Sequence, residues 1–203
     1  MYPFLKDCEV LTALGSGEFF ANNSILRFVK NLSQKQFPKL KVNITTNAQL
    51  VTKYRLDELE NLHGMLNTFH VSIDAAKKET YEKLRIGAKW EILCKSMDIL
   101  AEMKAAGTID SIHASFVVQA ENYRQMPTFI ELTKQWNVDT VEFRRLTNWG
   151  TYDNDEFKKI DVHSPAHPCY SDVQSIVSNI NNTEMDIHIT ENLLQDIKNK
   201  NKL

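Results

Sequence analysis

A carboxylate follows directly behind two glycines in the stretch Leu11-Thr-Ala-Leu-Gly15-Ser16-Gly17-Glu18-Phe-Phe20. An apolar run, Val10 to Leu14, stops at the glycines, and Asn22-Asn23-Ser24 leads on into a helical pattern. In a parallel sheet, ligands lie outside the carboxyl ends of the strands, so strand, glycine bend and acid in that order place Glu18 where small molecules bind. The glycines let the backbone come close to a ligand and offer it carbonyls or amides. A bend of this kind is more often only a turn, and its weight comes from the rest of the chain.

Four further polar stations each close an apolar run: Thr46-Asn47, Ser72 with Asp74, Gln119 to Asn122, and Arg144-Arg145. Each has a plain structural alternative. Asn47 and Asp74 can cap the helices that follow them. Arg85 can pair with Glu79 or Glu82 on a helix surface, and Trp149 and Tyr152 can fill a loop core instead of stacking a substrate. His163-x3-His167-x-Cys169 offers three nitrogen and sulfur donors, but Pro165 and Pro168 interrupt it and no fourth donor stands near. The expectation there is a structured loop and no metal. The three cysteines, Cys8, Cys94 and Cys169, are far apart and form neither a disulfide framework nor a Cys-x-x-Cys knuckle.

Periodicity supplies the elements that must position these groups. Strands are expected over Glu9–Leu14, Leu40–Thr46, Phe69–Ile73, Ile109–Gln119 and Val138–Leu146. Between them, helices are expected from Ser24 through Gln36, over Leu50–Leu62, in a segment ending at Gly87, over Trp90–Ala106 and over Asn122–Trp136. Strands alternating with helices every ~30 residues argue a parallel sheet with right-handed crossovers. All five polar stations then fall on one rim. After Gly150 the chain turns polar and irregular from Asp153 to Pro168. Helices are expected around Tyr170–Ile180 and Ile189–Ile197, with a linker loop over Asn179–Thr183. The organisation expected is residues 1–150 as the α/β core and 151–203 as a C-terminal loop and helical extension.

With 203 residues, 42% hydrophobic and 25% charged, the composition is that of an ordinary globular domain. A net charge of −2 with mixed signs gives no basic face for nucleic acid. No apolar run is long enough to cross a bilayer and the N-terminus lacks a signal-peptide layout, so the expectation is a cytoplasmic protein without membrane or nucleic-acid partners.

The segments "LGSGEFF", "VNITTNAQLV", "HVSIDAAKKETYEKLRIGAKWEIL", "HASFVVQAENYRQMPTFIELTKQWNVDTVEF" and "NWGTYDNDEF…DV…HP" together resemble the core of a radical S-adenosylmethionine (radical SAM) protein. The likeness is to the branch related to peptide- and carbohydrate-modifying maturases, and it spans about Glu9 to Pro168. It implies a partial (β/α) barrel, with five of six strands present, and S-adenosylmethionine lying across the strand ends. In the family a Gly-Gly-Glu turn binds the methionine amino group, and Ser16-Gly17-Glu18 occupies its place. An ammonium in a partly desolvated cleft needs such an acid or carbonyl partner. Asn47 is carried over as a further contact at the same rim. Ser72 and Asp74 match positions near the ribose and the methionyl carboxylate, Arg85 suits a bidentate contact to that carboxylate, and Gln119 and Asn122 match the nucleoside side. The implied activity is reductive cleavage to a 5′-deoxyadenosyl radical and hydrogen abstraction from a small-molecule, peptide or carbohydrate substrate. A flavodoxin or ferredoxin would supply the electron. The family's [4Fe–4S] cluster sits on a Cys-x3-Cys-x2-Cys loop that this sequence does not contain, so the 203-residue chain is expected to be inactive as it stands. The alternative is a cluster-less, non-catalytic nucleoside-binding or scaffold protein derived from the same fold.

Overall fold

The computed structural model describes residues 5–14, 17–180 and 186–189. Six strands form one sheet in the order β1-β2-β3-β4-β5-β6: β1 Val10–Ala13, β2 Lys41–Thr46, β3 Leu66–Ser72, β4 Ser111–Val118, β5 Thr140–Arg145 and β6 Asp186–Ile189. The pairs β1–β2, β2–β3 and β5–β6 are parallel. The α/β class expected from the alternation is the observed one. Helices α1 Asn23–Lys30, α2 Lys53–Asp57, α3 Lys78–Leu84, α4 Trp90–Ala105, α5 Met126–Gln135, α6 Asn154–Ile160 and α7 Tyr170–Ile180 separate the strands. No helix among the described residues is long and apolar enough to cross a membrane.

Several boundaries differ from the periodic reading, each for a local reason. Asn22, not Ser24, caps α1, its side chain accepting from the N–H groups of Ser24 and Ile25. That helix ends at Lys30, six residues before Gln36, where the Asn61 amide reaches the carbonyls of Val29, Lys30 and Leu32. The segment expected as Leu50–Leu62 holds only α2 and a 3-10 turn at Glu60–Leu62. Asp153 opens α6 with a reciprocal capping box to Glu156, inside a stretch expected to be irregular. The sixth strand is the main addition: Asp186–Ile189 lies between the loop expected over Asn179–Thr183 and the helix expected from Ile189, in a stretch given no element. Four residues alternating polar and apolar become a strand only by pairing with β5, where Thr140 Oγ1 also donates to Asp186 Oδ2 at 3.1 Å. The helix expected beyond Ile189 lies outside the described residues.

The contacts divide the chain into two compact units. The first takes in the chain up to Ser72, with Ala88–His113 and Trp136–Val138. In it, Val42 and Ile44, Phe69 and Val71, and Ile112 are buried, as are Leu26 and Val29 of α1 and Leu93, Met97 and Leu100 of α4. Between Val42 and Ile44 the β2–β3 register slips by one residue, so Asn67 and Thr68 both oppose Asn43. The Asn43 side-chain oxygen fills this bulge, accepting from Asn67 Nδ2 at 2.8 Å and from the Thr68 N–H at 3.3 Å.

The second unit holds Ile73–Gly87, Ala114–Gln135 and the described residues from Asp139 on. Phe116, Phe129 and Phe143 form its aromatic centre, with ring centroids 4.9, 5.5 and 6.1 Å apart.

Candidate functional site

In the first unit the glycine bend delivers its acid to the end of β2. Gly17 has φ +101°, in the left-handed region that favours glycine. Ser16, the other half of the expected turn, lies outside the described residues. Phe19 and Phe20 are wholly buried, their rings edge to face at 4.9 Å, and this anchors the turn that Glu18 begins. Glu18 itself stays half-buried, and its carboxylate is held from three directions. Oε1 accepts from the Thr46 hydroxyl and from the Phe20 N–H at 3.4 Å, and Oε2 accepts the Asn47 N–H at 2.7 Å. A carboxylate has about four acceptor positions, so roughly one remains for an incoming donor.

Asn47 acts here through its backbone, since its side-chain oxygen turns to the Gln49 N–H at 2.9 Å. It does not cap α2, whose cap is Thr52. Sequence reasoning named the Thr46-Asn47 step and chose Asn47 from it, whereas Glu18 is held by the threonine hydroxyl as well as the asparagine N–H. Ala48, at φ +61° and fully buried, closes the bend.

The strands of this unit also carry a feature that sequence reasoning missed. β2 alternates strictly between buried and half-exposed residues, and so do the residues of β4 in this unit. Parallel strands covered on both faces are apolar on both. Here the half-exposed positions are Asn43 and Thr45 on β2, Asn67, His70 and Ser72 on β3, and Ser111 and His113 on β4. Thr45 pairs in register with His70, and the His70 and His113 rings meet edge to face at 4.9 Å. The alternation of "FHVS" and "IHAS" was the available signal. Ser72 ends β3 on this polar face.

In the second unit Asp74, Arg85, Gln119 and Asn122 come together. Asp74 has φ +66° and does not cap α3, whose N-cap position is Lys77. Its Oδ1 accepts the Val117 N–H at 2.8 Å, and its Oδ2 accepts from Arg85 Nη2 at 2.6 Å. Arg85 Nε donates to the Ile73 carbonyl at 3.3 Å, so that edge of the guanidinium is taken up within the chain. Asn122 is 1% exposed, and its amide donates to the Asp74 and Val117 carbonyls while its oxygen accepts the Gln119 N–H. Here Asn122 is a brace between β4 and the Asp74 turn. Arg145, from the fifth station, pairs with the nearly buried Asp161 at 2.8 Å.

The histidine–cysteine cluster is tied up by backbone. His163 is 5% exposed, and its Nε2 donates to the Val118 carbonyl, which leaves Nδ1 as a buried acceptor without a partner among the described residues. Burial holds its imidazole below the usual histidine range. His167 spends one ring nitrogen on the Lys159 carbonyl and the other on the Cys169 N–H. Burial, with hydrogen bonds toward Cys169 and Asp172, pushes the Tyr123 phenol above its usual range. Trp149 does not fill a loop core: it is 88% exposed on a turn braced by Asn148. Among the described residues no three His, Cys, Asp or Glu side chains converge as metal ligands. The cysteines described here therefore do not fit an iron–sulfur cluster.

A parallel α/β sheet with an acid pinned at a strand end defines the class of the fold. A family model, the Radical SAM superfamily, matches residues 8–133, and the chain belongs to that superfamily. Among solved structures it is similar to Streptococcus suis SuiB (18% identity, TM-score 0.63, covering 89% of this chain and 38% of that one). It is similar also to anSMEcpe with bound AdoMet (16%, 0.57, 90% and 51%) and to TYW1 with a lysine–pyruvate adduct bound (16%, 0.57, 88% and 52%). The chain thus spans about two fifths of SuiB and about half of the other two. No curated protein sequence matches it significantly.

Proposed function

We propose that this chain carries the S-adenosylmethionine-binding part of a radical SAM enzyme, with the Gly17–Glu18 bend receiving the methionine ammonium. The observation that carries this reading is the Glu18 carboxylate, held at the end of β2 by Thr46 and Asn47 with room for one more donor. S-adenosylmethionine, when bound beside a reduced cluster, supplies radical chemistry in this family. What the residues of this chain contribute is binding and orientation. Ser72 in the first unit, and Asp74, Arg85, Gln119 and Asn122 in the second, are proposed, each within its own unit, as the family's other binding positions. Asp74 and Asn122 act mainly by shaping the backbone, since their side chains are already engaged. SuiB has been solved bound to its precursor peptide SuiA, and anSMEcpe bound to a peptide, which favours a peptide as the substrate here. The polar face around His70 and His113 is the surface proposed to meet it. Titration calorimetry with S-adenosylmethionine tests the reading. Glu18→Gln removes a charge-assisted hydrogen bond and is expected to weaken binding by roughly tenfold or more. Unchanged affinity in that variant would remove Glu18 from the site.

A further inference from the structure

We infer that Thr46 is the positioning residue of this site: it acts on the ligand's amino group through Glu18 without touching the ligand. The inference rests on the reading of Glu18 just given.

Thr46 is the last residue of β2 and is 2% exposed. It stands on the buried side of that strand's alternation, after Val42 and Ile44, where an apolar residue would be the simple choice. Placing a hydroxyl there is costly unless the hydroxyl is fully used, and it is. The Thr46 O–H donates to Glu18 Oε1, and the same oxygen accepts the Ala48 N–H at 3.0 Å. Accepting from Ala48 leaves the hydroxyl hydrogen to point at the carboxylate. One atom thereby couples the bend after β2, where Ala48 holds a left-handed conformation, to the acid after β1.

Glu18 has three rotatable side-chain bonds, and among the described residues its other hydrogen bonds are to backbone N–H groups: Phe20 at 3.4 Å and Asn47 at 2.7 Å. The Phe20 contact is long for a hydrogen bond. Thr46 and Asn47 therefore grip opposite oxygens of the carboxylate and fix its plane. A carboxylate held this way loses little conformational freedom when an ammonium arrives, which is the gain from preorganisation. Without the hydroxyl, the carboxylate can rotate about the Asn47 contact and the open acceptor position is no longer aimed.

The test compares Thr46→Val, Thr46→Ser and Glu18→Gln in the full 203-residue chain, with titration calorimetry against two ligands. S-adenosylmethionine carries the amino group, and 5′-methylthioadenosine keeps the nucleoside but lacks the amino acid. Thr46→Val is expected to weaken S-adenosylmethionine roughly tenfold and to leave methylthioadenosine unchanged. Thr46→Ser, which restores the hydroxyl, is expected to bind both ligands like the parent. Thr46→Val added to Glu18→Gln is expected to cost nothing further, because the two residues act as one unit. Should Thr46→Val bind S-adenosylmethionine normally, or lose both ligands in equal proportion, Thr46 is not a positioning residue, although the role of Glu18 stands. Should Glu18→Gln bind like the parent, or the parent bind neither ligand, the reading of the site fails and this inference with it. Serine guards against a folding defect in the valine variant, since only the hydroxyl separates a positioning role from a steric one.

Discussion

Arg85 Nη2 donates to Asp74 Oδ2 at 2.6 Å, while the other oxygen of the same carboxylate accepts the Val117 N–H at 2.8 Å. Asp74 therefore ties the end of α3 to β4, from a backbone position at φ +66° that aspartate and asparagine tolerate better than most residues. Its side chain is 13% exposed, so the lost partners would not be replaced freely by water. Asp74→Ala should destabilise the fold by about 2–3 kcal/mol, from an unmet backbone N–H and an unpaired arginine. Asp74→Asn keeps one acceptor and the backbone preference, and should cost about 1 kcal/mol. Urea unfolding of the two variants checks this, and equal losses would mean that the acceptor is not what matters.

Much of the fold was legible because it rests on local period. The alternation of β2 and the apolar spacing of α4 are visible in the letters, and the order of elements follows. Asp186–Ile189 was not legible, since four residues acquire strand identity only from β5. The site was legible in part. Glu18 stands out as an acid behind glycines, but nothing local says that Thr46 will meet it across 28 positions of sequence. Asn122 shows the converse: the letters leave the side chain at this strand end open, whereas the fold fills its amide with Asp74, Val117 and Gln119. Contacts between distant segments decide which polar groups remain available, and period does not encode them.

His163 makes stability depend on acid pH. Burial depresses its folded pKa, so the unfolded chain binds this proton at a higher pH than the folded one. The contribution of the neutral ring is complete above the unfolded value of about 6.5 and is lost as pH falls through the lower folded value. Asp161, Arg145 and His167 are the charged or titratable neighbours, and burial outweighs the favourable carboxylate. His163→Gln can keep the donor to the Val118 carbonyl while removing the titration. Chemical denaturation from pH 7.5 to 5 should show the parent losing stability relative to the variant, with a slope of at most about 1.4 kcal/mol per pH unit. Parallel curves would contradict the assignment.

Tyr123 should ionise only above the usual tyrosine range. Its ring is 2% exposed, its hydroxyl donates to Asp172 Oδ2 at 2.8 Å, and Arg124 lies over the ring at 4.9 Å. Ionisation would place a phenolate beside a carboxylate in a buried setting, which raises the pKa by both desolvation and repulsion. In an ultraviolet titration of the parent and the Tyr123→Phe variant, the difference should be a component that ionises above the usual tyrosine range. Tyr123→Phe should abolish that late component, and its survival in the variant would assign it to another residue.

The edge at β1 is the place to expect association. β1 stands at one end of the sheet order and pairs only with β2 among the described residues. Val10 is 53% exposed and Leu14 is 66% exposed beside it. An edge strand with unpaired backbone groups, apolar side chains and no lysine or proline invites another strand. Val10→Lys places a charge on that strand at a position already in solvent, so the cost in stability should stay within about 0.5 kcal/mol. Light scattering over a concentration series should then show less association for the variant than for the parent. If both associate alike, the contact forms elsewhere on the surface and β1 is not the edge through which copies meet.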